Sequence, residues 1–511
     1  MDPEKSFFST SLPPFLPDEM IFLVDATGTR DLDDDRITLL DSLVREHGGY
    51  LEGGGRSLEM PLIERADTGA PRQVIPAKGL NARGTAEAYE MFYQMDQKLR
   101  AQGAEVRWQP NWLTGAVSGG PGGGGGSGAG PGTRPLPLQK GLGDAPLPLR
   151  KSLLQPLRHA ATGAAPVRMI FLDSWNPDRS ETARLDLPLY RLLNDSARGE
   201  PFRTRDYFAS RDPDPFPMPD HGLFGAYLAG EVIGAKRVCV HESLLPEISE
   251  KTQGLAIVEK ECVATMESVR VLDEYGAGDA YRLVEALAQI ASSVQPGERV
   301  IVNMSLIVNI PDHHRLPYAF FQLFNGRWPG QKRAQGRHDR LDCALHEAIL
   351  ALHDKGVLLI AAAGNDSAGE ERRESVRFPA AYDEVVDVTA ACCDGSNEAW
   401  YANRATMQGV AVYAGDCDDK GILDQEHLLI GPFTDAHVPI RGEGEDPENI
   451  TGTVAWAGTS FAAPLASGLA ALLWAADPAQ SAAEVRGKLL GLANGQTLAH
   501  GTPYIDLFDF V

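Results

Sequence analysis

In the C-terminal part of the chain, strongly apolar runs recur with few polar interruptions, at residues 167–172, 268–272, 299–305 and 357–363. Strands buried on both faces read this way, so the runs predict a largely parallel central sheet with helices on both sides, an α/β fold. A longer run of small and apolar residues, Phe461 to Trp474, reads as a buried helix. A helix at Ser481 to Ala493 and a strand at Tyr504 to Leu507 complete that region.

The N-terminal part has a different rhythm. Met20 to Asp25 reads as a strand, and Asp35 caps a helix in which Ile37, Leu40 and Val44 share one face. Strand-like stretches follow at Leu58 to Ile63 and Gln73 to Pro76. A second helix from about Thr85 carries Ala88, Met91, Met95 and Leu99 on one face, and Glu105 to Trp108 reads as a last strand. The β-α-β-β-α-β order predicts a small ferredoxin-like α+β domain. The glycine tract Gly119 to Gly132 cannot build a packed core and reads as a flexible linker. The Pro/Leu-rich segment Arg134 to Leu157 is expected to run extended along the surface. The division is therefore residues 1–115, a linker at 116–160 and a larger domain at 161–511.

At 511 residues and a formal charge of −23, the chain is too acidic for nonspecific binding to nucleic acid or docking on an anionic membrane. It lacks an uninterrupted apolar stretch of membrane-spanning length, and the N-terminal residues, without a basic region followed by an apolar core, are not expected to act as a signal peptide. The six cysteines, Cys239, Cys262, Cys343, Cys392, Cys393 and Cys417, lack metal-ligand spacing and are expected to be reduced, which predicts a cytoplasmic protein. Two acidic clusters, Asp31 to Arg36 and Asp416 to Gly421, lack the Gly and Glu positions of a calcium loop. No cofactor is expected. Structural calcium stays open without an assignable site.

The chemistry-bearing string is Gly458-Thr459-Ser460-Phe461-Ala462-Ala463-Pro464, at the head of the apolar helix. A serine there meets unpaired N–H groups and the positive end of the helix dipole, as a nucleophile requires; a plain N-cap would look similar. The longer string resembles the serine motif of the subtilisin-like serine proteases (subtilases), Gly-Thr-Ser-Met-Ala-x-Pro. Further resemblances follow in family order. Val167 to Asp173 resembles the strand carrying the aspartate, with Trp175 in place of the usual glycine. Asp220-His221-Gly222 and the small-residue run after it resemble the histidine helix, although the Thr and the second His of that motif are absent. Gly356 to Asn365, including Ala362 and Gly364, resembles the strand that ends in the oxyanion asparagine. Ser268 to Asp273 with Gly276 and Gly278, and Val300 to Leu306, resemble the strands bordering the substrate cleft. The resemblance covers Ala165 to Val511.

It implies a serine endopeptidase of subtilisin-like three-layer fold acting on protein or peptide substrates. Ser460 would be the nucleophile, His221 the general base, Asp173 its orienting carboxylate and Asn365 the oxyanion donor. Ser305, Leu306, Ile307, Gly276, Gly278, Ala362 and Gly364 would border the substrate. Ile307-Val308 stands where the family has Gly-Gly, which narrows the cleft and predicts restricted substrates. The aromatic and basic insertion Asn309 to His338 reads as a lid, as a partner-docking loop or as a plain surface excursion. Residues 1 to about 115 read equally as an inhibitory or chaperoning propeptide and as a retained module binding an activator or partner protein. A binding-only pseudoprotease and an esterase are the alternative functions.

Overall fold

The computed structural model describes residues 15–25, 34–52, 61–64, 71–104, 106–116, 135–138, 147–163, 166–175, 197–199, 217–218, 220–234, 239–240, 263–310, 343–367, 373–416, 424, 426–439 and 445–510. The expected glycine linker lies outside these residues, as do the insertion beyond Ile310 and the acidic stretches 31–33 and 417–421. The first elements are β1 (Phe15–Asp25), α1 (Asp34–Glu46), β2 (Tyr50–Leu51), β3 (Leu62–Ile63), β4 (Arg72–Lys78), α2 (Thr85–Ala101) and β5 (Arg107–Ala116). Then come β6 (Leu136–Pro137), α3 (Lys151–Ala161), β7 (Val167–Ser174), α4 (His221–Ile233), β8 (Cys239–Val240) and β9 (Ala264–Leu272). β10 (Ala277–Asp279), α5 (Ala280–Ser293), β11 (Val300–Met304), β12 (Leu306–Val308), α6 (Cys343–Asp354) and β13 (Leu358–Ala362) follow. The last are β14 (Val385–Ala391), β15 (Val410–Tyr413), β16 (Ile430–Pro432), β17 (Thr453–Ala455), α7 (Thr459–Ala476), α8 (Ala482–Gly491) and β18 (Tyr504–Ile505).

Two compact units result, and they cut across the linear division expected from composition. One comprises Met1–Leu113, Asp279–Val294 and Val308–Lys355; the other comprises Thr114–Gly278, Gln295–Ile307 and Gly356–Val511.

In the first unit, β5, β1, β4 and β2 lie side by side in antiparallel order, and β3 also pairs with β4. Met20 to Val24 of β1 are fully buried, and Phe15 meets Tyr89, Phe92 and Trp112 at ring-centroid distances of 5.2–5.8 Å. Gln109 and Asn111, two apart on β5 and so on one face, each satisfy a helix start. Gln109 Oε1 accepts from Ala344 N–H of α6 at 2.8 Å, and Asn111 Oδ1 accepts from Tyr281 N–H of α5 at 2.9 Å. The amide of Asn111 also donates to Glu19 at 2.7 Å and to Asp279 at 3.3 Å. Arg107 pairs with Glu347 at 2.7 Å.

The second unit holds an eight-stranded, all-parallel sheet in the order β18-β15-β14-β13-β11-β7-β9-β8. All eight residues of β7 are buried, including Arg168, whose guanidinium is paired with Glu267. The chain winds from β7 toward β9 and then returns to β11, so the strand order reverses beside β7. The crevice at the carboxyl ends of β7 and β11 is where open α/β sheets bind ligands. Helix α7 is apolar and long enough to cross a membrane, yet 94% of that window is buried inside the protein, which makes it a core helix. It packs on α4, where a β-carbon at Gly468 would stand 2.9 Å from Ala229 O.

The segment around Pro156 departs from expectation. Instead of running extended, Lys151–Ala161 forms α3 and buries Leu154 and Ala161. Pro156 had masked a helical spacing of Leu153, Leu154, Leu157 and Ala161. Arg158 of α3 donates to the carbonyls of Val232 at 3.0 Å and Glu231 at 2.5 Å, capping the end of α4.

Burial first, and the nearby Asp279 carboxylate second, push Glu19 up from 4.5 to about 7, against the opposing hydrogen bond from Asn111. The folded state therefore holds a proton that the unfolded chain releases near pH 4.5. Stability from this group is complete below that pH and is lost as pH rises through about 7. In urea denaturation of the full chain at about pH 5 and about pH 8, Glu19→Gln is expected to lose less stability across the interval than wild type.

Candidate active site

Sheet geometry brings the sequence-predicted residues to strand ends and helix starts of the second unit. Asp173 is the penultimate residue of β7, Ser305 lies between β11 and β12, and Asn365 follows β13 after Gly364. His221 opens α4, and Ser460 is the second residue of α7. Asp173, His221, Ser305, Asn365 and Ser460 are all buried.

Asp173 Oδ1 accepts the Ser174 N–H at 2.7 Å and lies 2.7 Å from His221 Nδ1. An ionised carboxylate there places the ring proton on Nδ1 and leaves Nε2 as an acceptor. The contact depends on Gly222. A β-carbon at that position would fall 2.6 Å from Ser174 O, 2.8 Å from Asp173 Cβ and 3.0 Å from the Trp175 ring. Trp175 is itself buried beneath this helix start, where the resemblance had a glycine.

The serine is held through its backbone. Ser305 Oγ donates to Ser460 O at 2.7 Å, and Asn303 Nδ2 donates to Ser305 Oγ at 2.9 Å. The Ser460 hydroxyl donates to Ser305 O at 3.3 Å, and no hydrogen bond joins it to His221 among the described residues. Asn365 Oδ1 accepts from Thr459 N–H at 3.1 Å and from Thr459 Oγ1 at 2.9 Å. With the oxygen so engaged, Nδ2 faces the turn into α7; a β-carbon at Gly458 would lie 3.3 Å from it. Carboxamide nitrogen and first-turn N–H groups of a helix together suit a developing oxyanion.

Of the predicted substrate-contacting residues, Leu306 and Ile307 lie on β12 and are buried. Gly276 sits in a turn at φ +69°, and Gly278 is on β10, where a β-carbon would fall 2.3 Å from Val271 O. Ala362 ends β13, and Gly364 takes φ +115°.

Several contributors had no role assigned from sequence. The His221 ring packs against Trp456 at 5.6 Å and Phe461 at 5.2 Å, and Phe224 packs on Phe461 at 4.5 Å. Asp220 has no exposed surface and accepts from Thr434 N–H at 2.5 Å and from Thr434 Oγ1 at 2.8 Å. Burial pushes the Asp220 carboxyl up to about 7; the Thr434 hydrogen bonds oppose this and the Asp435 charge adds to it. An acid directly before His-Gly was the available signal. Elsewhere, Cys393, Asp424 and His427 bring possible metal-ligand atoms within 4.8 Å of one another. The 2.6 Å hydrogen bond between Asp424 and His427 accounts for the closeness of that pair without an ion.

A parallel sheet flanked by helices, with serine, histidine, aspartate and asparagine gathered at its carboxyl edge, defines an α/β fold. Residues 252–502 match the model of the Subtilase family of peptidases, Peptidase S8, and the chain carries a subtilase domain. Two solved structures resemble it. "Structure of Prenylagaramide maturation protease PagA" is 18% identical over 66% of this chain and 87% of that one, with a TM-score of 0.36. "Crystal Structure of a Lanthipeptide Protease" is 17% identical over 68% and 88%, with a TM-score of 0.40. No curated protein sequence matches.

Gly222→Ala should push the start of α4 away from β7 and lengthen the Asp173–His221 contact. A displacement of that kind is expected to slow Ser460 acylation by about 10²-fold, measured with a fluorophosphonate probe on folded protein.

Proposed function

We propose that this subtilase-family peptidase is a serine endopeptidase working through Ser460, His221 and Asp173. Ser460 Oγ attacks the scissile carbonyl as its proton passes to His221 Nε2, which later returns it to the leaving amine. Asp173 holds the tautomer and stabilises the imidazolium, while Asn365 Nδ2 and the Ser460 N–H receive the oxyanion. The 2.7 Å Asp173–His221 contact, bridging residues 48 apart at a strand end and a helix start, carries this reading.

In the same reading the backbone of Ser305 to Ile307 pairs with the substrate, and the Ile307 side chain narrows the cleft relative to a glycine. Residues 1–115 inhibit or chaperone the protease, in a cytoplasmic setting where a partner protein relieves them. Within the first unit, Gln109 and Asn111 satisfy the starts of α6 and α5, and Asn309 N–H donates to Leu113 O at 2.8 Å, which supports an N-terminal segment folded together with these elements. The binding-only alternative draws on one observation, the Ser460 hydroxyl bonded to Ser305 O instead of His221.

Intact mass after fluorophosphonate treatment separates the two. Wild type should gain one adduct and Ser460→Ala none; unlabelled wild type would favour the binding role. On a peptide substrate, Asn365→Ala is expected to lower turnover by about 10²–10³-fold.

A further inference from the structure

Asp220 presents a physical puzzle. A carboxyl group with no exposed surface is costly to retain, and burial costs most when the group is ionised. It does not hydrogen-bond to the N–H groups of its own helix, the usual use of an acid at that position. Its hydrogen bonds come instead from Thr434, 214 residues away just beyond β16, and from the backbone N–H of the adjoining Asp435.

What Thr434 anchors explains the arrangement. Its neighbour Phe433 is fully buried and packs edge-on against Trp456 at 6.3 Å. Trp456 in turn stands edge-on to the His221 ring at 5.6 Å, and Phe461 closes another side at 5.2 Å. Phe224, one turn along α4, contacts both Trp456 and Phe461, and a β-carbon at Gly431 would touch its ring at 2.8 Å. The imidazole is thus fixed at one edge by Asp173 and bounded by a wall of aromatic rings. Part of that wall belongs to the loop that Asp220 holds.

We propose that Asp220 is a positioning residue for the general base: by tying the first turn of α4 to Thr434, it seats the Phe433–Trp456 wall against His221. This rests on the proteolytic reading of Ser460, His221 and Asp173, and it adds a residue that the subtilase motifs do not contain. Without the tie, the loop relaxes from α4 and the imidazole samples orientations other than the one that Asp173 and the aromatic wall fix. The substrate-pairing strand is untouched, so the loss falls on kcat and spares KM.

The test compares Asp220→Ala, Asp220→Asn and Thr434→Val in the full chain, below the melting temperature of each. Asp220→Ala should acylate with the fluorophosphonate at least about tenfold more slowly, with KM for a peptide substrate unchanged. Asp220→Asn keeps an acceptor for the Thr434 N–H and should recover most of the rate. Thr434→Val removes only the hydroxyl, serves if the alanine variant does not fold, and should give a smaller loss in the same direction. An unchanged acylation rate in folded Asp220→Ala, with a lower melting temperature alone, overturns the proposal, and so does failure of folded Asp220→Asn to restore the rate. The low-field proton resonance of His221 Nδ1 reads the orientation without catalysis. It should broaden in Asp220→Ala even if wild type proves unreactive toward the probe, and an unchanged signal overturns the proposal whatever the activity.

Discussion

The contact on which the rest of the site depends is the approach of the α4 start to the end of β7. There the His221 imidazole reaches Asp173 because Gly222 leaves no side chain between helix and strand. A β-carbon would overlap the Ser174 carbonyl and the Asp173 β-carbon, so neither element can give without moving the other. Packing density elsewhere makes that rigidity effective. Small residues let α7 lie close on α4, and Arg158 of α3 holds the far end of α4. A helix pinned at both ends presents its first side chain in one orientation, which is the preorganisation that proton transfer requires.

The parallel sheet supplies the second constraint. Each strand ends at the same edge, so groups far apart in sequence arrive together: Asp173 at the end of β7, Ser305 after β11, Asn365 after β13. Ser305 then acts in two directions. Its hydroxyl holds the backbone of Ser460 while its carbonyl accepts the Ser460 hydroxyl. A carbonyl at that point is also where an extended chain would place an N–H donor, so an arriving backbone would compete for the acceptor that Ser460 occupies.

Sequence made the strands of the parallel sheet legible because two-sided burial leaves no polar alternation. It made Asp173, His221, Asn365 and Ser460 candidates because each lies in a string that resembles a subtilase motif, in the family's order. It failed where the cause was non-local. Proline misled twice. Pro156 concealed α3, and Pro110 shortened the reading of β5, which runs from Arg107 to Ala116. Pro110 is tolerated because it faces Met20, where the pairing of β1 shifts register and one ladder bond is dispensable. The aromatic wall around His221 is drawn from residues 224, 433, 456 and 461, and no periodicity links them.

The acidic balance of the chain acquires a more specific meaning from its buried carboxyls. A formal charge of −23 counts every acid as ionised. Yet Asp220 and Glu19 are both pushed to about 7, chiefly by burial and with a second carboxylate adding to each. A fold that excluded such groups would be more stable at neutral pH, so their retention calls for a compensating use. In each case the carboxyl accepts hydrogen bonds that join distant segments, α4 to the loop after β16 and β1 to β5. The same bonds that hold those segments together favour the ionised form that burial disfavours. Protonation therefore relieves the burial cost while weakening the acceptor.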